Sequence, residues 1–454
     1  MSHFRSKRAR LLLSLPLFAL FGAACGNDHH GTSAAPTATP AGAPSRTPPA
    51  TATVTRPAVA TATHTFAPPP TGTATTAPSA APSATPTASP SATPRLPTSA
   101  EILAPGPHGV GVTTIKYVDT SRPTMPNGTY AGTASRTLVT EIWYPLAAPA
   151  APSETEQRDA PIDTAATPYP LIMYSHGYIE NRTGGAYLAR HLASYGYIVA
   201  APDFPLSNGG APGGPTINDV PEQPGDISFV IDQLLAPDTR FAGAIDAQRI
   251  GFTGLSLGGW TTFLAAYHPT LRDPRVRAAA PIAGPSCYFS HAYFADTDTP
   301  LLIVQGDLDA LVPYTANSLV AYGNANPPKT LVTVHNGSHT GFSGLGALIP
   351  GDNPDDVGCT ALLSALQKSP PDQEALLARL GGSAAGIDAS PCVDPCTAPM
   401  PLPPSVPGTR QLQLAELSVF PFFEATLRGD AAMQRFLDQG LAAENPEILY
   451  QTKR

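Results

Sequence analysis

The stretch Arg249-Ile250-Gly251-Phe252-Thr253-Gly254-Leu255-Ser256-Leu257-Gly258-Gly259-Trp260 decides the architecture. Arg249 to Thr253 has the apolar and β-branched make-up of a buried strand, and Leu257 to Tyr267 follows a helical pattern. Between them, Gly254-Leu255-Ser256-Leu257-Gly258 places a serine on a sharp strand-to-helix turn. Backbones pass so closely at such a turn that only small residues fit on either side of the serine, and Gly254 and Gly258 supply the room. The turn lifts the Ser256 hydroxyl out of the sheet, and the helix start aims backbone N–H groups at charge that develops beside it. G-x-S-x-G arises by chance in a chain with 39 glycines. The strand before it and the helix after it are what make Ser256 a candidate nucleophile.

Outward from this turn, short apolar runs alternate with helical stretches. Strands are predicted at Leu171–Tyr174, Ile198–Ala201, Arg249–Thr253, Val276–Ile282, Leu301–Gln305 and Thr330–His335, and helices at Gly185–Tyr195, Asp226–Leu235, Leu257–Tyr267 and Thr315–Tyr322. That alternation predicts an α/β fold: a mostly parallel central sheet with helices on both faces and reactive loops at the carboxyl ends of the strands. Val112–Val118 and Thr137–Tyr144 look like an antiparallel pair ahead of it, with Ala147–Thr167 as an exposed connection. Residues 344–410 break the order and carry three cysteines, so they are expected to form a C-terminal disulfide-tied insertion; Leu412 to Leu441 then closes the sheet as one or two helices.

A serine hydroxyl is a weak nucleophile that needs a base, and the base needs an acid to orient it. Asp309 and His339 follow Ser256 in that order, each in a loop after a predicted strand. Asp309 lies deeper in its loop than Asp307, beside Leu311-Val312-Pro313, so it is the expected acid and Asp307 a turn residue bonding its own backbone. His339 lies in a Gly/Ser turn beyond its strand and is the expected base, whereas His335 ends the strand and reads as a partly buried filler. For the oxyanion, the expected donors are the Leu257 N–H and the Tyr178 N–H of Ser175-His176-Gly177-Tyr178, with His176 as a structural hydrogen-bonding residue. No cofactor is required by this chemistry.

Residues 1–24 read as an export signal: Arg5, Lys7, Arg8 and Arg10 precede the apolar run Leu11 to Ala24. Small residues directly before Cys25 resemble a bacterial lipoprotein signal, which makes Cys25 the expected site of lipidation; a plain secretory signal is the alternative. Residues 25–100 are rich in Pro, Thr, Ala and Ser and cannot build a core, so they read as a disordered stalk that leaves residues 101–454 as one domain. The net charge of -8 carries no basic footprint for nucleic acid. Cys287, Cys359, Cys392 and Cys396 make an even set in an exported chain and favour two disulfides, with three pairings open. Zinc on Cys392-x-x-x-Cys396 is disfavoured because no His/Cys pair at ligand spacing accompanies it, and no metal is expected.

Ser175-His176-Gly177-Tyr178, Tyr197-Ile198-Val199-Ala200-Ala201-Pro202-Asp203, the helix Asp226 to Leu235 and the Ser256 turn together resemble the platelet-activating-factor acetylhydrolase and dienelactone-hydrolase-like branch of the α/β hydrolases. The chain is also similar to the cutinase and polyester-hydrolase branch, through Gly177-Tyr178 and Asp309-Ala310-Leu311-Val312-Pro313. The resemblance implies the α/β-hydrolase fold and hydrolysis of carboxylic esters by a Ser256–His339–Asp309 triad through an acyl-enzyme. Polyester hydrolases usually carry a tryptophan after the strand that follows the nucleophile helix, and Ala280 to Cys287 has none, which tips the expectation toward small or lipid-like esters over polymers. Dienelactone hydrolases proper use a cysteine where this chain has Ser256, so lactone chemistry is not implied. A polyester hydrolase and a non-catalytic, surface-anchored binding module remain the alternatives, and a monomer tethered through Cys25 is the expected assembly.

Overall fold

A computed structural model of the chain describes residues 95–147 and 155–454. The leader, Cys25, nearly all of the stalk and residues 148–154 of the Ala147–Thr167 connection lie outside the described residues. Ten strands form one sheet: β1 (Gly109–Asp119), β2 (Arg136–Leu146), β3 (Glu156–Arg158), β4 (Tyr169–Ser175), β5 (Ile198–Pro202), β6 (Ile245–Leu255), β7 (Val276–Ile282), β8 (Leu301–Gly306), β9 (Lys329–Val334) and β10 (Ile448–Lys453). Their spatial order is β10-β9-β8-β7-β6-β4-β5-β2-β1-β3. β4 to β9 are mutually parallel, β1 and β2 pair antiparallel to one another, and β2 runs antiparallel to β5.

Period-2 alternation sorts the side chains of the central strands into two cores. On one face Leu171, Met173, Ile250, Phe252 and Ile303 pack with Ile227, Val230 and Phe263 from the helices Gln223–Leu235 and Leu257–Tyr267. On the other, Ile172, Tyr174, Leu302, Val304 and Val332 meet Leu188 and Leu192 of the helix Ala186–Ser194 and Leu414, Leu417 and Phe423 of the helix Gly408–Leu427. Gly251 belongs to this second face: a Cβ there would lie 2.7 Å from the Phe423 ring, so glycine is what lets the long helix close on β6.

Several elements depart from the sequence expectations. β3 forms within the stretch expected as a connection and pairs parallel to β1, with its residues exposed. β10 extends the sheet antiparallel to β9. It had no legible signal because only Ile448 is buried and its remaining residues are polar or exposed, as an edge strand permits. A helix Ser99–Leu103 begins ahead of residue 101, started by a capping box in which the Thr98 side chain takes the Glu101 N–H and Glu101 returns to the Thr98 N–H. The helix expected at Thr315–Tyr322 runs from Ser318 to Asn324.

The insertion holds the helices Asp355–Lys368 and Gln373–Arg379. Disulfides join Cys359 to Cys396 within it and Cys287 to Cys392 across 105 residues to the segment after β7. Both cysteines of Cys392-x-x-x-Cys396 are thus committed to disulfides. Backbone pairing reinforces the dock, with the Asp388 N–H donating to the Tyr288 carbonyl (2.8 Å) and the Ser290 N–H to that of Gly386 (3.0 Å).

Candidate active site

Ser256 follows β6 directly and precedes the helix Leu257–Tyr267, at φ 57° and ψ -118°. A positive φ is strained for a residue with a Cβ, and such strain persists only where the surroundings impose it. They do so here through close packing. A Cβ on Gly258 would lie 1.9 Å from the Ser175 carbonyl oxygen, and one on Gly254 would lie 2.6 Å from both the Ser175 and the Gly258 carbonyl oxygens. The Ser256 N–H donates to the Ile282 carbonyl at 2.9 Å, which pins the turn to the end of β7.

Asp309 and His339 lie beyond the carboxyl ends of β8 and β9, on the sheet edge that also carries Ser256 and Ser175. The His339 Nδ1 is 2.8 Å from Asp309 Oδ2, and both side chains are buried. Every direction open to the carboxylate is used: Oδ2 also accepts from Gln305 Nε2 at 3.0 Å, while Oδ1 accepts the N–H groups of Leu311 (3.0 Å) and Val312 (2.6 Å). Asp309 is therefore fixed by its own loop and by β8 before it meets the imidazole. Burial works against a cationic His339, yet the Asp309 charge and hydrogen bond, aided by Asp355 and Glu180, outweigh it and raise the imidazole above its ordinary 6.5. With Nδ1 committed to Asp309, Nε2 is the nitrogen left for proton exchange.

Tyr178 and Leu257 flank the same edge. Among the described residues, neither backbone N–H donates to a protein acceptor, so both remain available to a ligand. The Tyr178 ring is buried and its hydroxyl donates to the Pro215 carbonyl at 2.8 Å, which anchors the residue by its far end. His176 is buried as a structural link, with Nδ1 2.8 Å from the Gly177 carbonyl oxygen and Nε2 accepting the Phe204 N–H at 3.1 Å.

The neighbouring acid and histidine differ from expectation. His335 is exposed, with 59% of its side-chain surface accessible, and its Nδ1 lies 2.8 Å from Asp307 Oδ2. Asp307 also accepts the Asn336 N–H at 2.6 Å, so it braces the β9 turn instead of its own loop. His335 lies one residue past the end of β9, where the two buried faces of the strand no longer cover it.

Two acidic residues were not singled out from the sequence. Glu180 accepts the Gly177 N–H (2.9 Å) on Oε2 and the Ser343 hydroxyl (2.5 Å) on Oε1, joining the Tyr178 loop to the segment after His339. Asp355, in the insertion, bonds the backbone of His339 itself (2.8 Å). The bond of Glu180 to Gly177 is local, three residues apart, but its reach to Ser343 and that of Asp355 to His339 join loops that only the tertiary fold brings close. Trp260, on the helix Leu257–Tyr267, stacks on Tyr288 with ring centroids 4.9 Å apart and planes at 7°, so an aromatic pair lies beside the tryptophan-free segment Ala280–Cys287.

Residues 159–348 match the PET hydrolase-like family (PETase). Cutinase est1 of Thermobifida alba is 26% identical over 175 residues, which make up 38% of this chain and 53% of that protein. The poly(3-hydroxyoctanoate) depolymerase of Pseudomonas fluorescens is 30% identical over 159 residues, 33% of this chain and 56% of that protein. The chain thus spans only about half the length of the curated relatives it matches, 53% and 56% for these two. The structure of a ferulic acid esterase from Streptomyces cinnamoneus superposes with a TM-score of 0.51, covering 76% of this chain and 96% of that chain at 22% identity. The family match, the cutinase and the depolymerase stand on the cutinase and polyester-hydrolase side of the resemblance. The chain has the α/β-hydrolase fold, with helices on both faces of a mostly parallel sheet and two disulfides toward its C-terminus.

Proposed function

We propose that the protein is an exported serine hydrolase of carboxylic esters. Ser256 Oγ attacks the ester carbonyl carbon while His339 Nε2 takes the hydroxyl proton. The oxygen of the tetrahedral intermediate lies against the Leu257 and Tyr178 N–H groups. As the C–O bond to the alcohol breaks, His339 returns the proton to the leaving oxygen and an acyl-Ser256 remains. Water, deprotonated by the same imidazole, then releases the acid and restores the serine. Asp309 keeps Nδ1 protonated and the ring aimed throughout.

The observation that carries this reading is the buried Asp309–His339 pair, 2.8 Å apart, on the sheet edge where Ser256 is held at positive φ. A module that only binds has no use for that strain. The match of residues 159–348 to PET hydrolase-like proteins gives polyester-type esters equal standing with small esters as substrates, despite the tryptophan-free Ala280–Cys287 segment. The test is a p-nitrophenyl ester series of increasing acyl length, together with bis(hydroxyethyl) terephthalate and a polyester film, on the wild type and Ser256→Ala. Turnover of at least one ester that vanishes in Ser256→Ala supports the proposal; no turnover by the wild type supports a binding module.

The leader composition and the two disulfides support export, since disulfides persist in oxidising compartments. Lipid on Cys25 with residues 25–100 as a stalk is part of the same proposal. Its check is whether Cys25→Ser moves the enzyme from the membrane fraction to the soluble one.

A further inference from the structure

Asp355 opens the insertion helix Asp355–Lys368 and is fully buried. Among the described residues, no lysine or arginine pairs with it. Instead its carboxylate takes three backbone N–H groups: His339 at 2.8 Å and Ala310 at 3.1 Å on Oδ2, and Thr340 at 2.6 Å on Oδ1. An acid in a first helical turn ordinarily serves the N–H groups of its own helix; Asp355 gives both oxygens to other loops. Those loops are the two of interest. Ala310 adjoins Asp309, and His339 is the expected base.

The insertion grips the acid loop a second time. The Ala310 carbonyl accepts the Cys396 N–H at 2.7 Å, and Cys396 is bonded to Cys359 of the same helix that carries Asp355. Asp355 is itself set by the Asn353 side chain, whose Oδ1 accepts the Asp355 N–H at 2.9 Å. A buried carboxylate without a cation is costly unless its hydrogen bonds are complete. Three convergent N–H groups meet that need only while both loops keep their places.

We infer that Asp355 is a positioning residue of the active site, through which the disulfide-tied insertion fixes the acid loop and the base loop to one another. The inference rests on the serine-hydrolase reading of Ser256, His339 and Asp309. It assigns the insertion a role beyond shaping a pocket: the hydrogen-bonded pair is held from outside the sheet. The charge has an electrostatic consequence as well. Burial disfavours the His339 cation, Asp309 favours it most strongly, and Asp355 and then Glu180 add to Asp309. These three carboxylates are the charged groups that act on His339 from the acid loop, the insertion helix and the Tyr178 loop.

The test compares wild type, Asp355→Asn, Asp355→Ala and Ser256→Ala, using kcat and KM on p-nitrophenyl butyrate, the rate of fluorophosphonate labelling, and their pH profiles. Asparagine keeps the shape but turns an NH2 group toward at least one backbone N–H. A small misplacement of the dyad is expected to lower kcat and the labelling rate by about 10- to 100-fold, with KM changed by less than about twofold. Loss of the negative charge moves the acidic limb of both profiles to lower pH. A purely structural role would lower the melting temperature without moving that limb. A folded Asp355→Asn with kcat within about twofold of wild type and an unmoved limb overturns the inference. Undiminished labelling and turnover in Ser256→Ala would instead overturn the serine reading. If both Asp355 variants fail to fold, amide hydrogen exchange of the wild type decides: slow exchange at Ala310, His339 and Thr340 is expected, and fast exchange at all three overturns the inference.

Discussion

The strand-turn-helix that holds Ser256 was legible because its requirements are local: two glycines, a strand before and a helix after, all within twelve residues of sequence. Asp309 and His339 were legible for a weaker reason, their order and their places beyond strands, and separating each from its neighbour took the tertiary structure. Asp307 and His335 sit two and four residues away in the sequence and form a pair of the same length, 2.8 Å, but on the exposed side of the β9 turn. Burial separates the two pairs, and burial is what lets one carboxylate govern an imidazole. Asp309→Asn removes the charge while keeping the shape, and kcat on the best ester should fall by about 10⁴-fold with the fold intact by circular dichroism. In the proposed mechanism His339 must be neutral to act as base, and its pKa is raised, so activity should be lost as pH falls through that value. The acidic limb of kcat/KM should therefore lie above 6.5, measured across a constant-ionic-strength pH series.

At the scale of elements, buried parallel strands and amphipathic helices announced themselves by period, and β4 to β9 lie where that period put them, with boundary shifts of a few residues. β10 did not, because an edge strand needs only one buried side chain. The turn between β6 and its helix is closely packed, and Gly258→Ala puts a methyl group against the Ser175 carbonyl. It should destabilise the domain by about 1–3 kcal/mol and cut activity more than its size suggests, as read by urea denaturation beside ester turnover. A buried ionic cluster was equally invisible in the sequence: on β2, Arg136 is wholly buried and forks to Asp219 (2.8 Å) and Asp226 (2.6 Å) near the start of the helix Gln223–Leu235. With Arg122, which also bonds Asp226 at 2.7 Å, its members are separated by up to 104 residues, and no local pattern joins them. Arg136→Ala takes the cation from buried Asp219 and leaves Asp226 with Arg122 alone (2.7 Å). It should cost about 3–5 kcal/mol, against little or no loss when the whole cluster is replaced by well-packed apolar residues.

For the whole molecule, composition and cysteine parity foretold two disulfides, whereas the pairing depended on where the insertion docks. Cys287–Cys392 ties it to the segment after β7, and Cys359–Cys396 ties its first helix to the strap across Ala310. Removing either bond as a Cys→Ala pair should lower stability by about 2–5 kcal/mol in thermal unfolding, with the larger effect for the 105-residue separation than for the 37-residue one. The proposed function makes one chemical statement above all, that Ser256 carries the acyl group between two half-reactions. Its most direct test is rapid quenching of the enzyme with p-nitrophenyl acetate in acid, followed by peptide mass mapping. An acetyl group on the peptide that contains Ser256, absent in Ser256→Ala and long-lived in His339→Ala only if it forms at all, is the predicted result. Turnover of the same ester by wild type with no acyl adduct on that peptide, or an adduct mapped to another residue, would contradict the account.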